Sequence, residues 1–240
     1  MQLKPNSIAD IQRHSGEWTL VEELHELDHK RILELGCGRA ELTRRIAEGG
    51  PGRRIAALET DETQHALNLE IDDLPGVQFG LGSAQEIPFE RASFDAGFLF
   101  KSLHHVPVEH MDSAFRELAR VLEPGALLHV SEPLFMGAFN EILRLFHDEE
   151  RVREEAYAAL LRAVEAGLFR HRSQHFFLAP VHFADFAEFE ARIVRVSHMN
   201  HQLSDELLAE VRERFEQHLE SDGVHFLQPC RIDLLSAQLG

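Results

Sequence analysis

The sequence predicts an α/β fold, in which a seven-stranded sheet carries helices on both faces and a helical lid insertion after strand five. Three observations support this prediction. Short apolar runs alternate with helical patterns over residues 31–133, which is typical of a parallel sheet covered on both sides. Two glycines, Gly36 and Gly38, directly follow the first apolar run. The alternation stops near residue 134, where a long helical stretch begins.

Composition favours one globular domain and limits the partners we expect. The chain has 240 residues, of which 44% are hydrophobic and 27% charged, and this suits a single α/β domain. Its formal net charge of −17 repels phosphate backbones, so we expect no nucleic-acid partner. The absence of any run of about 18 apolar residues predicts no membrane span. The sequence does not indicate an oligomeric state.

Cysteine usage indicates a reducing compartment. The N-terminus lacks the apolar segment of a secretory signal. Cys37 and Cys230 form a poor disulfide framework, because a bridge at Cys37 would obstruct the glycine loop. We therefore expect the protein to be cytoplasmic.

The single domain, residues 1–240, is predicted to contain four segments. An apolar stripe including Trp18 and Leu24 predicts a helical N-terminal segment. The segments are an N-terminal helical cap (1–30), the core of the sheet (31–133), a helical lid insertion (134–184), and C-terminal helices and strands that complete the sheet (185–240).

The core elements follow from local patterns. Each predicted strand is a short apolar run bounded by glycine, proline or polar residues, and each helix between them ends at such a signal. The predicted strands are residues 31–35, 54–59, 77–82, 93–100 and 126–133, and the predicted helices lie within residues 40–50, 61–72 and 111–125.

Beyond the core, one long helix or two helices are predicted from residue 139 to residue 169. Residues 183–199 predict a helix followed by a strand. Ser204 and Gly223 are suited to the two ends of a further helix. The last strand is predicted at 224–238.

The glycine loop admits several ligands. A dinucleotide site needs G-x-G-x-x-G. In that motif the third glycine lets the helix pack against the strand, and the N-terminus of the helix faces the pyrophosphate. Here the third position is Glu41, whose charge disfavours an anionic ligand, although Arg39 offsets part of that charge. A phosphate-binding P-loop is also disfavoured, because its lysine is absent.

The stretch ILELGCGRAEL (32–42) resembles the first motif of the class I S-adenosylmethionine-dependent methyltransferases, whose fold is a Rossmann-like sheet. Four further stretches resemble motifs of the same family in the same order: 55–61, 77–98, 102–106 and 115–133. The match makes residues 31–133 the expected cofactor-binding core. The matched motifs most resemble those of small-molecule methyltransferases, including quinone-methylating enzymes. In these enzymes the segment after strand five recognises the substrate.

The resemblance implies S-adenosyl-L-methionine as the methyl donor and S-adenosyl-L-homocysteine as its product. Gly36 and Gly38 let the backbone approach the methionine part of the donor. Glu34 is expected to accept hydrogen bonds from its cationic end. Glu59 is expected to accept from both ribose hydroxyls. The other expected cofactor contacts are Cys37, Thr60, Ser83, Ala84, Gln85, Leu99 and Phe100. Ser83 departs from the aspartate usual in the family, so adenine recognition loses charge assistance.

Three residues after the fourth strand are candidates for binding the methyl acceptor or removing a proton from it. His104 and His105 are candidate general bases, since a neutral imidazole titrates close to working pH. Alternatively, they only orient the next helix. Lys101 is a candidate contact for an acidic substrate group, or else its side chain turns outward or pairs with a local carboxylate.

No metal is expected, since none of the 16 histidines belongs to an H-E-x-x-H or Cys/His motif. A methyltransferase acting on a small molecule is the leading hypothesis. The alternative is a non-catalytic S-adenosylmethionine-binding sensor or partner subunit. The N/D-P-P-Y/F motif of amide and amine methylators is absent after strand four.

Overall fold

A single mixed sheet organises the protein, whose computed structural model describes residues 1–195 and 203–238. Over these ranges the strands follow the order β3-β2-β1-β4-β5-β8-β6, and the short β7 pairs with β8. The strands are β1 (Arg31–Leu35), β2 (Arg54–Glu59), β3 (Val77–Leu81), β4 (Phe94–Phe100), β5 (Leu122–Pro133), β6 (Phe169–Phe183), β7 (Leu219–Glu220) and β8 (Gly223–Ala237).

The first five strands are parallel, and their carboxyl ends form one edge of the sheet. The chain order reverses direction at β1, which is flanked by β2 and β4. In open α/β sheets, ligands bind outside the carboxyl ends of the strands at such a switch point.

Helices cover both faces of the sheet. On one face, α1 and α2 supply Val21 and Ile46 to a core with Ile32 and Phe98. On the other face, α4 and α6 pack against alternate strand residues such as Leu33. The helices are α1 (Glu17–Leu24), α2 (Glu41–Glu48), α3 (Glu62–Asn68), α4 (Met111–Val121), α5 (Ala138–Leu143), α6 (Glu150–Glu165), α7 (Phe186–Phe189) and α8 (Asp205–Glu216).

Strands β6 and β8 form an antiparallel ribbon that extends past the rest of the sheet. Pairing between β5 and β8 ends at Pro133 and Cys230, whereas pairing between β6 and β8 continues to Phe183 and Val224. The ribbon therefore runs roughly 20 Å beyond the end of β5. Helices α5, α7 and α8 pack on this extension and build a phenylalanine-rich cluster, which we call the upper core. Its buried residues are Phe139, Ile142, Phe183, Phe186, Phe189, Val194, Val211, Phe215, Val224 and Phe226.

The core strands overlap their predicted ranges, although β5 begins at Leu122, inside the predicted helix 111–125, and two other predictions are wrong. Residues 169–183, assigned to the helical lid, form β6 of the main sheet. The strand predicted at the end of 183–199 is a π-helix over Glu190–Val194, and residues 196–199 lie outside the described residues. Within the predicted N-terminal helical cap, the helical elements are a 3-10 turn at Ile8–Asp10 and α1, which contains Trp18 and Leu24 of the predicted stripe.

The helical part of the predicted lid is present as α5 and α6. Glu149, just before α6, and Arg153 within it lie close to the carboxyl ends of β4 and β5. A role for these helices in binding substrate stays a prediction. Within the described ranges, no helix combines the length and apolar character needed to span a bilayer.

Candidate active site

The loop after β1 has a left-handed backbone at three positions. Gly36, Gly38 and Ala40 have φ values of 71°, 51° and 61°. A Cβ on Gly36 would lie 2.7 Å from the Cβ of Ser102, so glycine is required there by the protein itself. A Cβ on Gly38 would meet no atom within 4 Å. The open side of the loop is therefore at Gly38.

Cys37 is a structural residue of this loop. Its side chain is buried, and Asn68 donates from Nδ2 to the Cys37 sulfur at 3.5 Å and to the Gly38 carbonyl at 2.8 Å. Burial, reinforced by the carboxylates of Glu34 and Glu59, raises the pKa of the Cys37 thiol. The thiol is therefore neutral near pH 7, and only the backbone of Cys37 is suited to contact a ligand.

Glu34 lies beneath the loop and is 2% exposed. Its Oε2 accepts a hydrogen bond from Thr43 Oγ1, in α2, at 2.7 Å. Burial raises the pKa of Glu34 to about 7, and the hydrogen bond from Thr43 opposes this rise. A buried carboxyl group of this kind favours a cation beside it.

Glu59 holds the loop closed from the end of β2. Its Oε2 accepts from the Gly38 amide at 2.8 Å, and its Oε1 accepts from the amides of Thr60 and Asp61 at 2.7 and 3.0 Å. Asp61 in turn caps α3. Ribose hydroxyls would therefore have to share or replace the amide donors already bound to Glu59.

The predicted adenine contacts follow β3 and lie beside Glu59. The Gly82 amide donates to the Glu59 carbonyl at 3.0 Å, which brings the next residues to the same edge. Ser83 and Gln85 are partly exposed in a turn closed by Glu86, and Ala84 is buried between them. These three residues line the edge of the sheet next to Glu59, the residue expected to bind the ribose.

At the end of β4, Leu99 and Phe100 are buried, and the backbone turns at Lys101 with φ 52°. The Lys101 amide donates to the Ser131 carbonyl at 2.7 Å. Its ammonium lies 3.7 Å from the Glu17 carboxylate and 3.4 Å from Gln228 Oε1. Lys101 thus pairs with a local carboxylate, the alternative that the sequence allowed, and its role in substrate binding stays a prediction.

The two histidines after β4 have different environments. His104 is buried, its Nδ1 contacts the Glu132 carboxylate, and its Nε2 lies 3.6 Å from Glu149 Oε1. Burial opposes the charged form of His104, but Glu132 outweighs it and raises the pKa of the imidazole. His105 is exposed, and its ring centroid lies 4.1 Å from that of His104.

The Glu149 carboxylate lies close to several basic side chains. His147 Nε2 lies 2.7 Å from its Oε1, and Arg153 donates to its Oε2 at 2.5 Å. Although burial opposes ionisation, His147, His104 and Arg153 lower the pKa of Glu149. A negative carboxylate is therefore maintained at the start of α6.

Several residues of the site were not predicted from the sequence. Glu132 and Glu149 come from separate segments and meet only at His104, so no local spacing reveals them. Ser102 donates to the Leu35 carbonyl at 2.8 Å and fixes the loop against β4. Thr43 and Asn68 also belong to this set. Their only sequence signal is their position on helices that begin at the same edge of the sheet.

Part of the chain is similar in sequence to known methyltransferases. Residues 33–130 match the family described as Methyltransferase domain. The chain is 33% identical over 154 residues to 27-O-demethylrifamycin SV methyltransferase of Amycolatopsis mediterranei, covering 58% of this chain and 53% of that protein. It is 31% identical over 151 residues to demethylmenaquinone methyltransferase of Bacillus cytotoxicus, covering 59% of this chain and 62% of that protein. It thus spans less than two thirds of either relative.

Solved structures share the fold at low sequence identity. The YcgJ protein of Bacillus subtilis superposes with a TM-score of 0.66 at 15% identity, covering 93% of this chain and 98% of that one. The cyclase SpnF superposes with a TM-score of 0.58 at 21% identity, covering 93% and 80%. Residues 33–130 thus match a methyltransferase domain, and the chain shares the fold of these solved structures.

Proposed function

We propose that the protein transfers a methyl group from S-adenosylmethionine to a small-molecule acceptor. The observation that carries the proposal is the glycine loop held between two buried carboxylates, Glu34 and Glu59, with open space at Gly38. When bound, the donor supplies an electrophilic methyl group on a sulfonium, which an acceptor takes by in-line displacement. The chain contributes alignment and exclusion of water, and alignment alone supplies up to about 7–11 kcal/mol in favourable cases.

The residues present fit this donor better than they fit a dinucleotide. The donor is cationic at its sulfonium and ammonium and carries no phosphate, and Glu34 offers it a buried carboxyl group. Glu41 stands in the first turn of α2, where its negative charge suits the helix dipole and disfavours a pyrophosphate. The residues proposed to bind the donor are Glu34, Gly36, Cys37, Gly38, Glu59, Thr60, Ser83, Ala84, Gln85, Leu99 and Phe100.

A small-molecule acceptor is supported by the relatives. The names of both curated relatives specify small-molecule acceptors, a demethylrifamycin and a demethylmenaquinone. The upper core lies beyond the carboxyl ends of β4 and β5, and α6 lies beside them. Both are therefore suited to enclose an acceptor. The fold does not decide the chemistry on its own, because a cyclase shares it.

A general base is a separate proposal. Both ring nitrogens of His104 face carboxylates, so a base acting directly on the acceptor is better assigned to the exposed His105. A base at His105 predicts that His105→Gln lowers the rate about 10²–10⁴-fold while donor affinity is retained, in an assay that contains a chelator so that no metal ion contributes.

Titration calorimetry with the purified protein tests donor binding. The donor or its demethylated product should bind with micromolar affinity, about −8 kcal/mol, and NAD should not bind. Binding of NAD with no response to the donor or its product would contradict the proposal. Transfer is then tested with a methyl-labelled donor and a fractionated cell extract. A labelled small molecule is expected, whereas donor binding with no labelled product would instead favour the sensor or partner-subunit alternative.

A further inference from the structure

A cluster of potential metal ligands lies where the carboxyl ends of β4 and β5 meet the start of α6. His104, His105 and Glu149 each offer one ligand atom, and these atoms lie within 4.8 Å of one another. Two of the residues follow β4 in sequence and the third precedes α6. The grouping exists only in the folded chain, which explains why the sequence shows no metal motif.

The spacing of the ligand atoms suits one small cation. His104 Nε2 and Glu149 Oε1 are 3.6 Å apart, which is longer than a good hydrogen bond. Two ligands that each lie about 2.1 Å from a tetrahedral Zn²⁺ are separated by roughly 3.4 Å. An ion between these atoms therefore needs only small side-chain adjustments.

A second layer of residues orients these candidate ligands. Glu132 contacts His104 at Nδ1, and the Leu103 amide holds the other oxygen of Glu132 at 2.9 Å. A proton held on Nδ1 leaves the Nε2 lone pair of a neutral His104 directed at Glu149. Metal-binding histidines almost always make such a bond from their second nitrogen, most often to a carboxylate or carbonyl. Arg153 similarly holds the Oε2 of Glu149 at 2.5 Å, while Oε1 faces His104 Nε2 at 3.6 Å and also contacts His147 Nε2 at 2.7 Å.

We propose that His104, His105 and Glu149 bind one divalent transition-metal ion, with Zn²⁺ as the representative cation. Two imidazoles and one carboxylate are a ligand set that Zn²⁺ accepts, and three protein ligands leave a fourth position open. Because His105 is exposed, the open position is reached from solvent. This role rests on the proposed function: the open position takes an oxygen of the acceptor, whose pKa the metal lowers, and a metal-bound His105 then does not act as the general base.

The test uses the intact, untagged protein, stripped with a chelator and then titrated with ZnCl₂ by calorimetry, with CoCl₂ as a visible-absorption probe. Wild type is expected to bind one equivalent of either ion. His105→Gln changes an exposed side chain and should weaken binding at least about tenfold, as should Glu149→Gln. His110→Gln, an exposed histidine nearby, is the matched control and should bind as wild type does.

Two results would overturn the metal site. One is the absence of stoichiometric Zn²⁺ and Co²⁺ binding by wild type. The other is unchanged affinity in His105→Gln, which would place the ion among the other histidines. Donor binding by the metal-stripped protein is measured separately, so a failure of the proposed function is distinguished from a failure of the metal site.

Discussion

We expect Glu34 to link proton binding to the binding of a cation at the glycine loop. With its pKa raised to about 7 by burial, the free protein keeps this side chain neutral in mildly acidic solution. A cationic donor favours the carboxylate, so the proton must leave when the donor binds. We therefore expect donor affinity, measured by calorimetry, to fall as the pH drops below about 7, by up to tenfold per pH unit. Affinity that is constant from pH 8 to pH 5.5 would contradict this role.

The same residue affects stability with the opposite pH dependence. Its carboxyl group keeps its proton in the folded state between pH 4.5 and about 7, where the unfolded chain has lost it. Stability therefore declines as pH rises through that window, by a total of about 3 kcal/mol. Glu34→Gln, which still accepts from Thr43, should raise the melting temperature at pH 8 but not at pH 4. It should also weaken donor binding, and unchanged melting at pH 8 would refute the shifted pKa.

At the scale of elements, the loop after β1 and the end of β4 are locked together through Gly36 and Ser102. Gly36→Ala adds left-handed strain of about 1–2 kcal/mol and a clash with the Ser102 Cβ. Ser102→Gly removes the clashing atom but not the strain. Denaturant unfolding of both single variants and the double variant should therefore show a favourable coupling energy between the two changes. Additive effects would show that the two positions do not touch.

The upper core is expected to unfold separately from the sheet. Phe215 is fully buried among its phenylalanines, and Phe215→Ala should destabilise this region by about 3–5 kcal/mol. Amide exchange should then accelerate in α5, α7 and α8 while the amides of β1 and β4 remain protected. Phe115→Ala, at an equally buried site in α4, is the control and should accelerate exchange in the sheet. Equal acceleration everywhere in Phe215→Ala would indicate one cooperative unit.

Elements specified by local patterns were predictable, and those that depend on distant partners were not. Strands β1 and β2 have the predicted bounds, since apolar runs between charged or glycine-rich turns define them locally. Strand β6 begins with the polar stretch FRHRSQH, whose local pattern does not predict a strand. It forms one because β8, more than fifty residues away in sequence, pairs with it. Residues 190–194 contain β-branched Ile193 and Val194, which favour a strand, yet they continue α7 as a π-helix. Likewise, family motifs indicated Glu34 and Glu59, whereas the partners of His104 required the tertiary structure.

For the whole molecule, a buried histidine pair is expected to limit stability in acid. His25 Nε2 lies 3.0 Å from His129 Nδ1, beneath α1 and against Phe98. Burial lowers the pKa of His25 to about 4 and lowers the pKa of His129 well below its ordinary value. In the unfolded chain, His25 and His129 take up protons below about pH 6.5, whereas in the folded chain these two side chains stay neutral until the pH is much lower. Stability should therefore fall as the pH drops from 6.5 towards 4, by up to about 1.4 kcal/mol per pH unit for each histidine.

His129→Leu tests this expectation, because it removes one of the two sites and also a ring nitrogen, Nε2, that has no hydrogen-bond partner in the described part of the chain. Urea unfolding at several pH values should show a shallower loss of stability in acid for this variant. His110→Leu, at an exposed position, should follow wild type. A slope unchanged by His129→Leu would assign the acid sensitivity to other groups.

The contact between Gly36 and Ser102 also has a consequence for sequence change over time. As long as position 102 carries a Cβ, position 36 is restricted to glycine, and a side chain at 36 is tolerated sterically only after 102 has become glycine. Neither step is neutral on its own, because Ser102 also donates to the Leu35 carbonyl. The two positions, which lie on different strand ends, therefore change together or remain fixed, and relatives of this chain should show them as a correlated pair.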